Sequence, residues 1–202
     1  SDIAYRELNK NTINVVSKLS VAIGRMNSIK RVIIKIFFIL YLMVINFSVV
    51  LSVIKLVREF NSKADRILLK LVFNFLYVVG VMKYCKNNNQ ILIMDQGISQ
   101  SIWSCIFHGN NVDYNCDTVS SLLLIIFSKI KLTNLLMVHV HVETNKIETR
   151  LKTRKIKGTS LLNSGNDKMI RKGVETTIKA RNFLDHVSDH ASSFSIVDCA
   201  NS

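Results

Sequence analysis

Apolar and polar positions divide the chain into two parts of different character. From residue 36 to residue 54 no charged side chain interrupts the run IFFILYLMVINFSVVLSVI, which is close to the length of a bilayer-spanning helix. Arg31 and Lys35 precede it while Lys55 and Arg58 follow, so both flanks are basic and the orientation of a span would stay open. A second apolar stretch, residues 71–82, is shorter and follows Lys70 directly, which predicts a buried helix rather than a spanning one. Upstream, Val15, Leu19 and Ile23 recur every four residues, as on one helix face. Residues 83–89, KYCKNNN, are polar and predict a loop.

Beyond that loop, short strands and helices are expected to alternate. Residues 90–94, QILIM, predict a strand buried on both faces. Ile98, Ile102 and Ile106 predict a helix from 98 to 108, closed by the turn signal His108-Gly109-Asn110-Asn111. Residues 119–127 suit a buried helix and 135–142 a second buried strand. A helix carrying Ile147 and Leu151 then closes at Gly158. Residues 159–167, rich in Ser, Asn and Gly, predict a mobile loop. Ile170, Val174 and Ile178 mark one face of a final helix before a polar tail. This order predicts an α/β fold, a parallel sheet with helical crossovers in which 90–94 and 135–142 are neighbours.

Composition narrows the classes. With 202 residues, 49% of them hydrophobic, the chain can fill one domain and is not wholly disordered. It has no proline, against a usual share of about 5%, which reads as compositional drift. The net charge of +13 is scattered rather than massed. A nucleotide or an anionic lipid surface accounts for it as well as polymeric nucleic acid does, and the latter is not favoured. Cys85, Cys105, Cys116 and Cys199 form no Cys-x-x-Cys pair and fit no zinc module, so free thiols are expected. The chain opens at Ser1 with no signal-peptide pattern. A missing upstream portion would explain that beginning equally well.

Three segments carry a resemblance. ILIMDQGISQSIWS at 91–104 resembles the strand and turn that present an acidic residue to the acceptor nucleotide in thymidylate kinase-like proteins of the P-loop kinase superfamily. Asp95, Gly97, Gln100 and Trp103 match that pattern, and Gln96 stands for the usual Glu. VHVHVETNKIETRLKTRKIKG at 138–158 resembles the late strand and the helix leading to the lid, with Arg150 and Arg154 at two family arginines. The long apolar helical stretch of that branch corresponds to about residues 30–82.

The resemblance implies a single P-loop kinase-like α/β domain over 1–190, incomplete at its N-terminus. It would hold a helical insertion at 30–82, a lid-like loop at 158–168 and a polar tail at 191–202. The implied activity is that of a nucleotide kinase, a transferase moving phosphoryl groups from ATP to a nucleotide or similar small acceptor in the cytoplasm. Asp95, Arg150 and Arg154 would be catalytic; Gln96, Gly97, Gln100 and Trp103 would bind substrate. Two departures matter. No Gly-x-x-x-x-Gly-Lys-Ser/Thr loop occurs, so ATP and Mg²⁺ are expected only if an upstream segment supplies it, and this fragment is expected to be inactive. Ser160-Leu161-Leu162 stands where the family tends to have Ser-Arg-Leu.

Phosphoryl transfer is mostly positioning and charge stabilisation. A carboxylate at a strand's C-terminal end, such as Asp95, can act as base or orient the acceptor, although Asp is also a good helix N-cap. Arg150 and Arg154, four apart, can grip phosphates, or form a solvated basic stripe. Trp103 is more simply a packed residue. His139 and His141, and the pair His186 and His190 with Asp185 and Asp189 nearby, have admissible metal spacing but plainer structural roles, and no metal is expected. Two readings compete with the kinase: a small membrane protein anchored by a transmembrane helix at 36–54, and a catalytically dead interaction module. Asn46, Ser48 and Ser52 interrupt the apolar run, so it is expected to pack as helix against protein.

Overall fold

Helix α1, Ser28–Ile45, is almost wholly apolar after Lys35 and ends where Asn46 leaves the helical conformation. The Asn46 amide donates to the Lys129 carbonyl at 3.1 Å, and Ser48 Oγ donates to Asn46 Oδ1 at 2.8 Å. Lys129 Nζ in turn donates to Ser52 Oγ at 3.1 Å. The three polar residues of the apolar run therefore build one corner, and α2, Phe47–Phe60, leaves it at 116° to α1. The run 36–54 is thus divided between two helices rather than forming the one helix expected there, whether packed against protein or crossing a membrane.

These coordinates come from a computed structural model that describes residues 28–200 apart from 62, 64, 89–91, 93, 95, 96, 112, 113, 133, 134, 142–166, 192 and 193, with the backbone only at 28, 139–141, 167 and 198–200. Four further helices follow: α3, Arg66–Asn87; α4, Ile98–His108; α5, Cys116–Ile130; and α6, Asp167–Asp189. Asp65 starts α3 by accepting the Leu68 N–H at 2.8 Å, and Asn115 starts α5 by accepting that of Thr118 at 2.9 Å. Asn111 closes α2, donating its N–H to the Phe60 carbonyl and its side-chain amide to the Glu59 carbonyl at 2.7 Å.

Contacts of α1 with α3 advance in the same direction along both helices. Lys35 meets Asn74, Phe38 meets Tyr77, and Tyr41 meets Asn87, so α1 and α3 run parallel with their N-termini together. Their backbones approach closely at Gly80, where an added Cβ would lie 2.6 Å from the Phe38 carbonyl oxygen. One hydrophobic core joins all six helices, with Val53, Leu56, Phe75, Ile102, Leu123 and Val187 fully enclosed.

Strand β1, Leu135–His141, pairs in parallel with β2, Phe194–Ala200, in the register Leu135↔Phe194 to His141↔Ala200. Parallel strands need a long crossover, and α6 lies within it. Leu135, Met137, Phe194 and Ile196 pack on the helices, whereas Leu136, Val138 and Val197 face outward.

The expected P-loop kinase-like α/β fold is therefore corrected: among the described residues the protein is a helical bundle with one two-stranded sheet. Of the expected strand 90–94, Leu92 and Met94 lie outside any strand and pack against the core of the helices. The neighbour of β1 comes instead from the expected polar tail. The expected loop 83–89 is helical as far as Asn87, because α3 continues through it. Among the described residues there is no broad sheet carrying helices on both faces, the scaffold on which a P-loop nucleotide kinase depends. The inferred transferase activity, ATP-dependent phosphoryl transfer, does not hold.

Candidate functional site

At about 100° per residue, the side chains of α1 sort into two arcs. Phe38, Ile39 and Leu42 point into the bundle, and Phe38 meets Tyr77 and Tyr84 edge to face at ring separations of 6.1 and 5.4 Å. The other arc, about 140° wide on this wheel, holds Val32, Met43, Ile36, Ile29, Leu40, Ile33, Val44 and Phe37, and all eight are exposed. Ile29 is 75% exposed, Leu40 54% and Val44 86%. No polar side chain falls within the arc. Phe47 and Leu51 carry exposed apolar surface past the corner onto α2.

The magnitude sets this face apart. Eight such side chains present on the order of 800 Å² of largely apolar surface, whereas the largest patch on a typical soluble monomer is about 300–600 Å². By contrast, α3 is long and apolar enough to cross a membrane, but half of its most apolar window is buried inside the bundle. Phe75 and Val79 are fully enclosed there. Ile67 and Leu69 near its start are exposed, but most of its large apolar side chains serve the core, while the outer face of α1 has no cover among the described residues.

Cations surround the N-terminal part of this face. Lys30 follows Phe37 on the wheel, and Lys35 lies beyond the opposite margin. Lys35 Nζ donates to Asn74 Oδ1 at 2.8 Å and sits 5.3 Å from the Tyr77 ring centre. Burial, then Lys70, then Arg31 hold its pKa below the ordinary lysine value. Neither α1 nor α3 contains an acidic residue.

The residues expected to form a kinase site are not brought together as one. Asp95, Gln96, Arg150 and Arg154 lie outside the described residues. Gly97 precedes α4, its carbonyl accepting from the Ser101 N–H, and Gln100 is exposed on that helix. Trp103 stacks on Phe107 at 4.7 Å and donates to Thr177 Oγ1 at 3.1 Å, which fastens α4 to α6. His186 Nε2 lies 3.3 Å from Asp117 Oδ1, and the His190 ring is 4.6 Å from that of His186. No group of three or more His, Cys, Asp or Glu among the described residues is arranged to hold a metal. Burial pushes the Cys105 thiol up to about 12 and raises that of Cys85, so neither is a ready nucleophile.

The sequence signal for the α1 face was the uncharged run itself. Its hydropathy could not tell which apolar side chains have partners. Comparison with family models, with curated proteins and with solved structures finds no match.

Proposed function

We propose that the protein is a peripheral membrane protein that seats on a lipid surface through the outward face of α1. The observation that carries this reading is the arc of eight exposed apolar side chains, unbroken by a polar group. Burying even about 200 Å² of it, at ~25 cal/mol per Å², supplies about 5 kcal/mol. That is comparable with the marginal anchoring of a single myristoyl chain, about 10⁴ M⁻¹. Lys30 at the margin of the arc is placed to reach the headgroup layer while its stem stays on apolar surface.

Flotation of the protein with phosphatidylcholine vesicles tests the reading. The wild type is expected to float, and the double variant Leu40→Asp, Val44→Asp to stay at the bottom with an unchanged melting temperature. A wild type that dimerises in buffer and ignores vesicles would contradict it and assign the face to a second copy of the chain.

A further inference from the structure

The β1–β2 sheet changes its chemistry along its length. Near its start, Leu135 and Met137 of β1 and Phe194 and Ile196 of β2 pack on the helices, whereas Leu136, Val138 and Val197 are exposed on the other face. Positions on a strand alternate between the two faces with a period of two. The helix-side register therefore continues through His139 and His141 on β1 and through Asp198 and Ala200 on β2. The opposite register stays mostly apolar and ends in Val140 and Cys199. A strand with one face on a core ordinarily carries its polar residues on the other face; here two histidines and an aspartate take the register of the core side. Ionisable residues on such a register are costly unless they are paired or bind a metal.

The pairing fixes their spacing. His139 stands directly against Asp198, and His141 against Ala200. Neighbouring strands lie about 4.8 Å apart, and alternate residues of one strand about 6.6 Å apart. His139, His141 and Asp198 thus occupy three corners of one small rectangle of backbone positions, with the small residue Ala200 at the fourth. Both strands end here and run in parallel, and ligands of open parallel sheets bind outside such C-terminal ends. His139 and His141 alone make only two ligands of admissible spacing; the pairing with β2 adds the third.

We propose that His139, His141 and Asp198 form a site for a divalent transition metal of the zinc type. Imidazole nitrogen and carboxylate oxygen suit such ions, and two histidines with one carboxylate leave a coordination position open to water or a small ligand. Backbone register places these three residues, which stand apart from the described side chains among which no metal group occurs. A cross-strand His–Asp pair would employ two of them; a metal employs all three. The site is independent of lipid docking by α1.

The test is titration of the full chain, freed of metal by a chelator, with Zn²⁺, and with Co²⁺ as a spectroscopic probe. The wild type is expected to take up a single ion per chain, with a cobalt spectrum that lacks the near-ultraviolet band of thiolate ligation. His139→Gln, His141→Gln and Asp198→Asn should each weaken binding at least about 100-fold, since even the outer partners of a metal ligand are worth about 10–100-fold. The chain has five histidines, so the variant His108→Asn, His186→Gln, His190→Gln keeps only His139 and His141. Its affinity should match that of the wild type, which decides the matter even where a strand variant fails to fold. Absence of binding, a thiolate band, loss of binding in the triple variant, or undiminished binding in folded Asp198→Asn would each overturn the proposal.

Discussion

Helices α1 and α2 divide one uncharged run between them, yet they spend their apolar side chains in opposite ways. In α2, Val49, Val53, Leu56, Val57 and Phe60 are fully enclosed, and Leu51 is among the few apolar side chains left outside. In α1 Phe38, Ile39 and Leu42 serve the core, whereas nine apolar side chains, the eight of the outward arc and Ile45, are exposed. Hydropathy does not separate these cases; the polar corner at Asn46 does. By tying the chain to the end of α5, it turns α2 into the bundle and leaves α1 along its margin, held by α3 on one side only. An apolar helix is a core helix when neighbours enclose it and keeps an exposed apolar face when they cover one arc.

The largest effects come from treating the two helices alike. Leu56→Ala should cost about 2–5 kcal/mol, because it opens a cavity in a packed core. Leu40→Ala should change stability by no more than about 0.5 kcal/mol, as at other surface sites. Urea denaturation of both variants in buffer without lipid measures the pair. A cost at Leu40 equal to that at Leu56 would break the comparison, since it would mean that something covers α1.

Gly80→Ala comes next. Its added Cβ would fall 2.6 Å from the Phe38 carbonyl oxygen, so α1 must move away from α3 at an expected cost of about 1–3 kcal/mol. Denaturation measures this too, and a neutral result would show that α1 is not clamped there. Asn46→Ala removes the bond to the Lys129 carbonyl and should cost about 1 kcal/mol. In hydrogen exchange, its loss should appear first as faster exchange where α1 meets α2.

The smallest effect is a pH dependence away from α1. Burial, then Lys172, then Lys70 hold the His108 pKa below its ordinary 6.5. On acidification the unfolded chain therefore takes up the proton first. Stability present above pH 6.5 is lost as pH falls through the folded-state value. Melting curves on either side of that window should show a smaller decline for His108→Asn than for the wild type.

Local periodicity made much of the helical scaffold legible. Residues 98–108 form α4 with those bounds, 119–127 fall inside α5, and Ile170 and Val174 are buried on α6, although Ile178 stands 51% exposed. What local pattern does not carry is pairing at a distance. Residues 135–142 were recognisable as a strand, but its partner lay in a Ser-rich ending that read as a tail. The alternation of inward Phe194 and Ile196 with outward Ser195 and Val197 was the available signal. The resemblance to a kinase rested on short matches around Asp95 and Arg150, and short matches do not specify the sheet on which such a site depends. The apolar run was plain in the sequence; its division into an enclosed half and an open half arises from tertiary contacts made by Asn46, Ser52 and Lys129.

The central claim is that the outer face of α1 meets lipid. The chain has one tryptophan, Trp103, so Val44→Trp in a Trp103→Phe background places a single reporter at the most exposed apolar position of α1. On addition of vesicles with brominated acyl chains, its fluorescence should shift to the blue and be quenched. Unshifted, unquenched emission from protein that has bound the vesicles would contradict the account.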